Sequence, residues 1–158
     1  MGYYSEVAIT LYEQDFETLI RRAAEESEAS LALIRRATLY KDEENETVSI
    51  TWNSIKWYDG FAEVAFIMSF LRSDDIQYQF KRVGEEAGDI DEEYNDDNWV
   101  LGEATTVECY ISMEAAGTQV NAISSIDAIL QKQVKVEDID DDSIAEVSEA
   151  ELLDVINA

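Results

Sequence analysis

The chain has 158 residues, 46% of them hydrophobic, with three Trp, eight Tyr and five Phe, and 36 acidic residues against 11 basic give a formal net charge of −25. That length suits one domain able to bury roughly 68–70% of its unfolded surface, and that apolar content excludes global disorder. With no histidine, His-based acid–base catalysis, Ser–His triads and His-ligated metals are excluded, and the charge repels nucleic acid and anionic membrane surfaces.

The first strand is expected at 5–12, where Val7, Ile9 and Leu11 alternate with Glu6, Ala8, Thr10 and Tyr12. The period then changes. Phe16, Leu19, Ile20, Ala23 and Ala24 fall on one helical face over 13–27, with Glu17 and Arg21 spaced to pair outside it. Residues 30–41 alternate again through Leu31, Leu33, Ala37 and Leu39, which reads as a second strand ending in the polar turn 41–46. In 47–58, Val48, Ile50 and Trp52 share one parity while Ile55 and Trp57 have the other. A bulge near Asn53 and Ser54 reconciles them.

Asp59 reads as the N-cap of a second amphipathic helix marked by Phe61, Val64, Ala65, Met68 and Leu71. Ile76, Tyr78 and Phe80 open the next strand. The resulting order, β-α-β-β-α-β, predicts an α+β fold of ferredoxin-like type, an antiparallel sheet with two helices on one face.

The charge is uneven. Residues 83–131 hold no basic residue against 12 acidic ones, and the chain after Lys135 holds none against 9. Eight carboxylates crowd 85–98: Glu85, Glu86, Asp89, Asp91, Glu92, Glu93, Asp96 and Asp97. This stretch reads as an acidic arm over 84–103, either extending the fourth strand or forming its own strand near 89–94. Beyond it, Thr105, Val107, Cys109, Ile111 and Met113 alternate as a further strand, expected beside the fourth. Residues 119–132 read as a helix. The expected division is an α+β domain over 1–133 and an acidic helix or tail over 134–158, with a capping box at Ser143 and Glu146.

Carboxylates held on a rigid surface can imitate the phosphate row of nucleic acid, which basic proteins pair with Lys and Arg. Tyr94 and Trp99, near Tyr78 and Tyr110, would be apolar anchors among them. The arm carboxylates with Tyr94 and Trp99 are therefore the first candidate partner-binding residues. Asp138, Asp140, Asp141 and Asp142 are second. A solvated acidic loop with no partner is the bland alternative. Asp138, Asp140, Asp142, Glu146 and Glu149 also match positions 1, 3, 5, 9 and 12 of a calcium-binding loop, but Ser143 stands where position 6 needs glycine. No metal site or cofactor is assigned. Carboxylate pairs at catalytic spacing carry no specificity in so acidic a chain, so no catalytic residue is assigned either and the protein is read as not an enzyme. The pairs Arg21–Arg22, Arg35–Arg36 and Lys81–Arg82 are expected to meet neighbouring acids rather than form a basic patch.

The opening MGYYSEVAI, the stretch WYDGFAEVAFIMSFL at 57–71 and QFKRVGEEAGDIDEE at 79–93 resemble small acidic proteins of bacteriophages and related mobile elements. The resemblance spans residues 1–113. It implies a DNA-mimic inhibitor of host defence, of the anti-restriction or anti-CRISPR kind, and transfers no site residues. The expected partner is a basic, nucleic-acid-binding protein surface in the host cytoplasm, with no direct nucleic-acid binding, no membrane association, and a monomer or small homo-oligomer. The alternatives are a structural or assembly protein with an acidic interaction tail, and a calcium-binding module.

Overall fold

The computed structural model describes residues 2–95, 105–108, 112–115 and 117–139, by backbone alone in 105–115 and 133–139. It is an α+β structure. Six antiparallel strands form one sheet in the order β5-β4-β1-β3-β2-β8. The strands are β1 (Ser5–Tyr12), β2 (Thr38–Asp42), β3 (Thr47–Ile55), β4 (Tyr78–Val83), β5 (Ile90–Asn95) and β8 (Thr118–Val120). The helices are α1 (Glu13–Glu26), α2 (Glu28–Arg35), α3 (Ala62–Leu71) and α4 (Ala122–Ile139). A hairpin of β6 (Thr105–Glu108) and β7 (Ser112–Ala115) stands apart from the large sheet, with β7 against β1.

Strand parity builds the core. Val7, Ile9 and Leu11 face the same side as their cross-strand partners Trp52, Ile50 and Val48 on one flank. On the other flank Ile9 and Leu11 pair with Phe80 and Tyr78. Onto this face pack Phe16, Leu19, Ile20 and Ala23 of α1, Leu31, Leu33 and Ile34 of α2, Val64, Ile67 and Met68 of α3, and Ile126 of α4, all in one buried cluster. The centre of the opposite face is buried but largely polar. Thr10 and Ser49, directly opposed, share a hydrogen bond of 2.8 Å, and Gln79 and Lys81 lie beside them with little exposure. Burial lowers the Lys81 ammonium below the usual lysine range.

The expected bulge is present. Val7 pairs with Trp52 and Ser5 with Ile55, so β3 spends three residues where β1 spends two. Ser54 carries the extra residue at φ 55°, and its N–H donates to Glu6 Oε1 at 3.0 Å. Ile55 thereby regains the core side, as the parity switch predicted.

Four expectations need correction. The alternation over 30–41 is not one strand. Residues 28–35 are α2, and the strand begins only at Thr38. Ser27 caps that helix, its Oγ accepting from Ser30 N, and Glu-Ala-Ser-Leu-Ala-Leu favours a helix by propensity. Asp59 is not the N-cap of α3. The chain enters through Phe61, which is exposed, and the buried face is Val64, Ile67, Met68, Phe70 and Leu71. The strand beside β4 is β5, built from the acidic stretch itself, while 105–113 divides between β6 and β7. The expected helix at 119–132 begins at Ala122, after a short strand holding Val120, and runs on to Ile139 across the expected boundary at 134. Among the described residues no helix is long and apolar enough to cross a membrane.

Candidate functional site

The acidic stretch is ordered by hairpin geometry. β4 turns through 84–89 into β5, pairing Val83 with Ile90, Arg82 with Asp91, Lys81 with Glu92 and Phe80 with Glu93. Gly88 takes φ 84°, a left-handed conformation that glycine adopts without cost. Gly84 N donates to Asp89 O at 2.8 Å, and a Cβ at Gly84 would run into the Asp89 carboxylate and the Tyr3 hydroxyl. Opposed residues on antiparallel strands share a face. Asp91 and Glu93 therefore lie on the helix side with Arg82, Phe80 and Tyr78, while Glu92 and Tyr94 lie on the other side with Lys81 and Gln79.

The helix-side carboxylates are held. Arg82, with a side chain only 14% exposed, gives Nη2 to Asp89 Oδ1 at 2.6 Å, Nε to Asp91 Oδ2 at 2.9 Å and Nη1 to Ser5 Oγ at 2.9 Å. Arg72, just past α3, grips Glu93 with Nε at 2.6 Å and Nη2 at 2.9 Å, a bidentate fork. The N-terminal segment closes the turn. Tyr3 Oη donates to Asp89 Oδ2 at 2.5 Å and accepts from Glu86 N at 3.0 Å, while Tyr4 N donates to Glu85 Oε1 at 2.8 Å. The Arg82 guanidinium and then the Tyr3 hydroxyl hold Asp89 below the usual carboxylate range, and the Arg72 fork holds Glu93 below it.

Tyr78 donates to Glu93 Oε1 at 2.7 Å. Burial, then this carboxylate, push its phenol up to about 12. A phenol whose folded value is raised lends stability that is complete below the unfolded value of about 10 and is lost as pH rises through the folded one. An absorbance titration of the tyrosinates should therefore show a late phase that Tyr78→Phe removes. If the curve keeps that phase in the variant, the phenol is not held as described.

Glu85, Glu86, Asp91, Glu92 and Tyr94 are exposed, Tyr94 to 60%. Thus the structure brings Glu85, Glu86, Asp89, Asp91, Glu92, Glu93 and Tyr94 together on one hairpin. Asp96, Asp97, Trp99, Tyr110 and Cys109 lie outside the described residues, as do Asp140, Asp141, Asp142, the box at Ser143 and Glu146, and Glu149. Asp138 falls within α4. Tyr78, read as lying near the anchors Tyr94 and Trp99, is buried. Of the basic pairs, Arg21 meets Glu17, Arg22 meets Glu26, Arg35 meets Asp127 and Arg82 meets Asp89 and Asp91. No group of three or more possible metal ligands occurs among the described residues.

Sequence reading missed a cleft of about 460 Å³ between this hairpin and the segment before α3. Tyr3, Trp57, Tyr58 and Phe80 give it aromatic walls, and Trp57 stacks on Trp52 at 5.1 Å and on Phe80 at 6.0 Å. Its charged lining is Asp59, Asp89, Asp91 and Glu93 against Arg72 and Arg82, four carboxylates to two guanidiniums and so a net of −2, while the Glu92 side chain belongs to the other face of the sheet. The only forewarning in the sequence is the Trp-Tyr-Asp triplet at 57–59, whose nearness to the acidic stretch depends on the fold.

Comparison with known proteins yields no match to a family model, to a curated protein or to a solved structure.

Proposed function

We propose that this protein is a non-catalytic binder of a basic protein surface, of the kind that holds nucleic acid, and that it acts by occupying that surface. The observation that carries this reading is the ordering of the acidic stretch as an exposed edge strand on a chain of net charge −25. Asp91 and Glu93 share one face of β5 and Glu92 takes the other, so carboxylates on one face repeat at about 6.8 Å, twice the rise per phosphate of one DNA strand. With Asp89 and Glu93 tied to arginines, the free charge of the hairpin is concentrated on Glu85, Glu86 and Glu92. The mimicry is therefore one-sided. On the same reading β1, α1, β2, β3, α3 and β4 form a ferredoxin-like unit, with α2 inserted and β5 and β8 added at its edges. We extend the proposal, on the resemblance read in residues 1–113, to an inhibitor of a defence nuclease working in the host cytoplasm as a monomer or small oligomer.

Charge also blunts an edge strand against aggregation, so the carboxylates of β5 need a test that separates the two roles. The immobilised protein should retain DNA-binding proteins from a bacterial lysate and release them to duplex DNA or to added salt. The triple variant Glu85→Lys, Glu86→Lys and Glu92→Lys should retain few of them while melting within a few degrees of the parent. Retention that ignores both the DNA and the triple change would overturn the reading.

A further inference from the structure

We propose that the aromatic-walled cleft between β5 and the segment before α3 receives a single arginine side chain of the basic partner. This inference rests on the binding reading above and names the group that the partner inserts. Three observations point to it. The cleft keeps a net charge of −2 after both of its own guanidiniums are counted, so it favours a cation. Two of its carboxylates have capacity to spare. Both Arg82 contacts to Asp91 fall on Oδ2, and no donor among the described residues reaches Oδ1. Asp59 is exposed and has no ion pair within 4.0 Å among the described residues. Finally, the walls include Tyr58 and Trp57, and a planar guanidinium both stacks on aromatic rings and forks to carboxylates, which a lysine ammonium does not. The forked half of this chemistry is already present internally, where Arg72 grips Glu93, whose Oε1 also accepts from the Tyr78 hydroxyl.

The probes are hexa-arginine and hexa-lysine peptides, titrated calorimetrically into the full chain at low and at physiological salt. One variant carries Asp59→Asn and Asp91→Asn. A control variant carries Glu43→Gln and Glu44→Gln on the exposed turn between β2 and β3, an equal change of charge away from the cleft. The cleft variant should weaken hexa-arginine about tenfold, the loss of two charge-assisted contacts, and the control by less than about twofold. Hexa-arginine should bind the parent more tightly than hexa-lysine, and the cleft variant should abolish that preference. Asp59→Asn alone, at a position with no ion pair to lose, should give part of the effect and guards against a folding defect. Equal losses in the cleft and control variants, or no preference for arginine, would overturn the cleft and leave the charge-based reading standing. Failure of the parent to bind either peptide at low salt would overturn both.

Discussion

Trp52→Ala is expected to remove about 4 kcal/mol of folding stability, the upper range for a large aromatic deleted from a core. Trp52 is 4% exposed and lies on the helix face of β3 opposite Val7. Its ring stacks on Trp57, and its Nε1 donates to Leu33 O at 2.9 Å, joining the sheet to the end of α2. The truncation therefore opens a cavity and removes one of the two donors to Leu33 O, leaving the Arg36 N–H at 3.2 Å. For a domain of this size the melting temperature should fall by roughly 8–16 °C. Trp52→Phe keeps most of the ring and loses only the donor, so it should cost about 1–2 kcal/mol. Urea unfolding of both variants checks this. A Trp52→Phe variant as stable as the parent would mean that the hydrogen bond to α2 carries nothing of its own, and equal losses that the cavity adds nothing to it.

Arg82→Met should cost about 2 kcal/mol, less than the cost of breaking a fully buried pair because the carboxylates it grips are part exposed. Methionine fills the aliphatic path of the side chain but leaves Ser5, Asp89 and Asp91 without their shared donor. The pH dependence gives a sharper test. Asp89 is held below the ordinary carboxylate range, first by Arg82, and a depressed carboxylate lends stability present above its unfolded value. That stability is lost as pH falls through the lower, folded value. The gap in stability between parent and variant should therefore be wide near pH 7 and narrow near pH 3. A gap of constant width would mean that the arginine acts by packing alone.

Where period and local chemistry agreed, the fold was legible from the residues. β1 and α1 follow from a clean change of period at Tyr12, and the bulge follows from the broken parity between Trp52 and Ile55. α2 was not legible, because Leu31, Leu33, Ala37 and Leu39 happen to alternate across a helix and the strand after it. The cue that would have separated them is Ser27, a helix-capping residue followed by good helix formers. The acidic stretch was legible as a site, and a strand of its own near 89–94 was one of two readings, but its place beside β4 was assigned to the later strand. Its pairing became visible only once the turn at 84–89 set the register, which places Arg82 against Asp91. Arg72 and Tyr3 join the site from distant parts of the chain, and no local pattern announces them. Asp59 was noticed for the wrong reason, as a cap, while its place is on the rim of the cleft.

The extra residue in β3 has a bearing on how the cleft tolerates insertion and deletion. Downstream of Ser54 the chain is phased by that one surplus unit, and the floor formed by Trp57 inherits the phase. Excising Asn53 or Ser54 would leave a strand that looks more regular, yet it would rotate Ile55 to the polar side and withdraw the indole from beneath the acidic hairpin. Length at this position is thus a setting of the binding surface, although no atom of Ser54 lines the cleft.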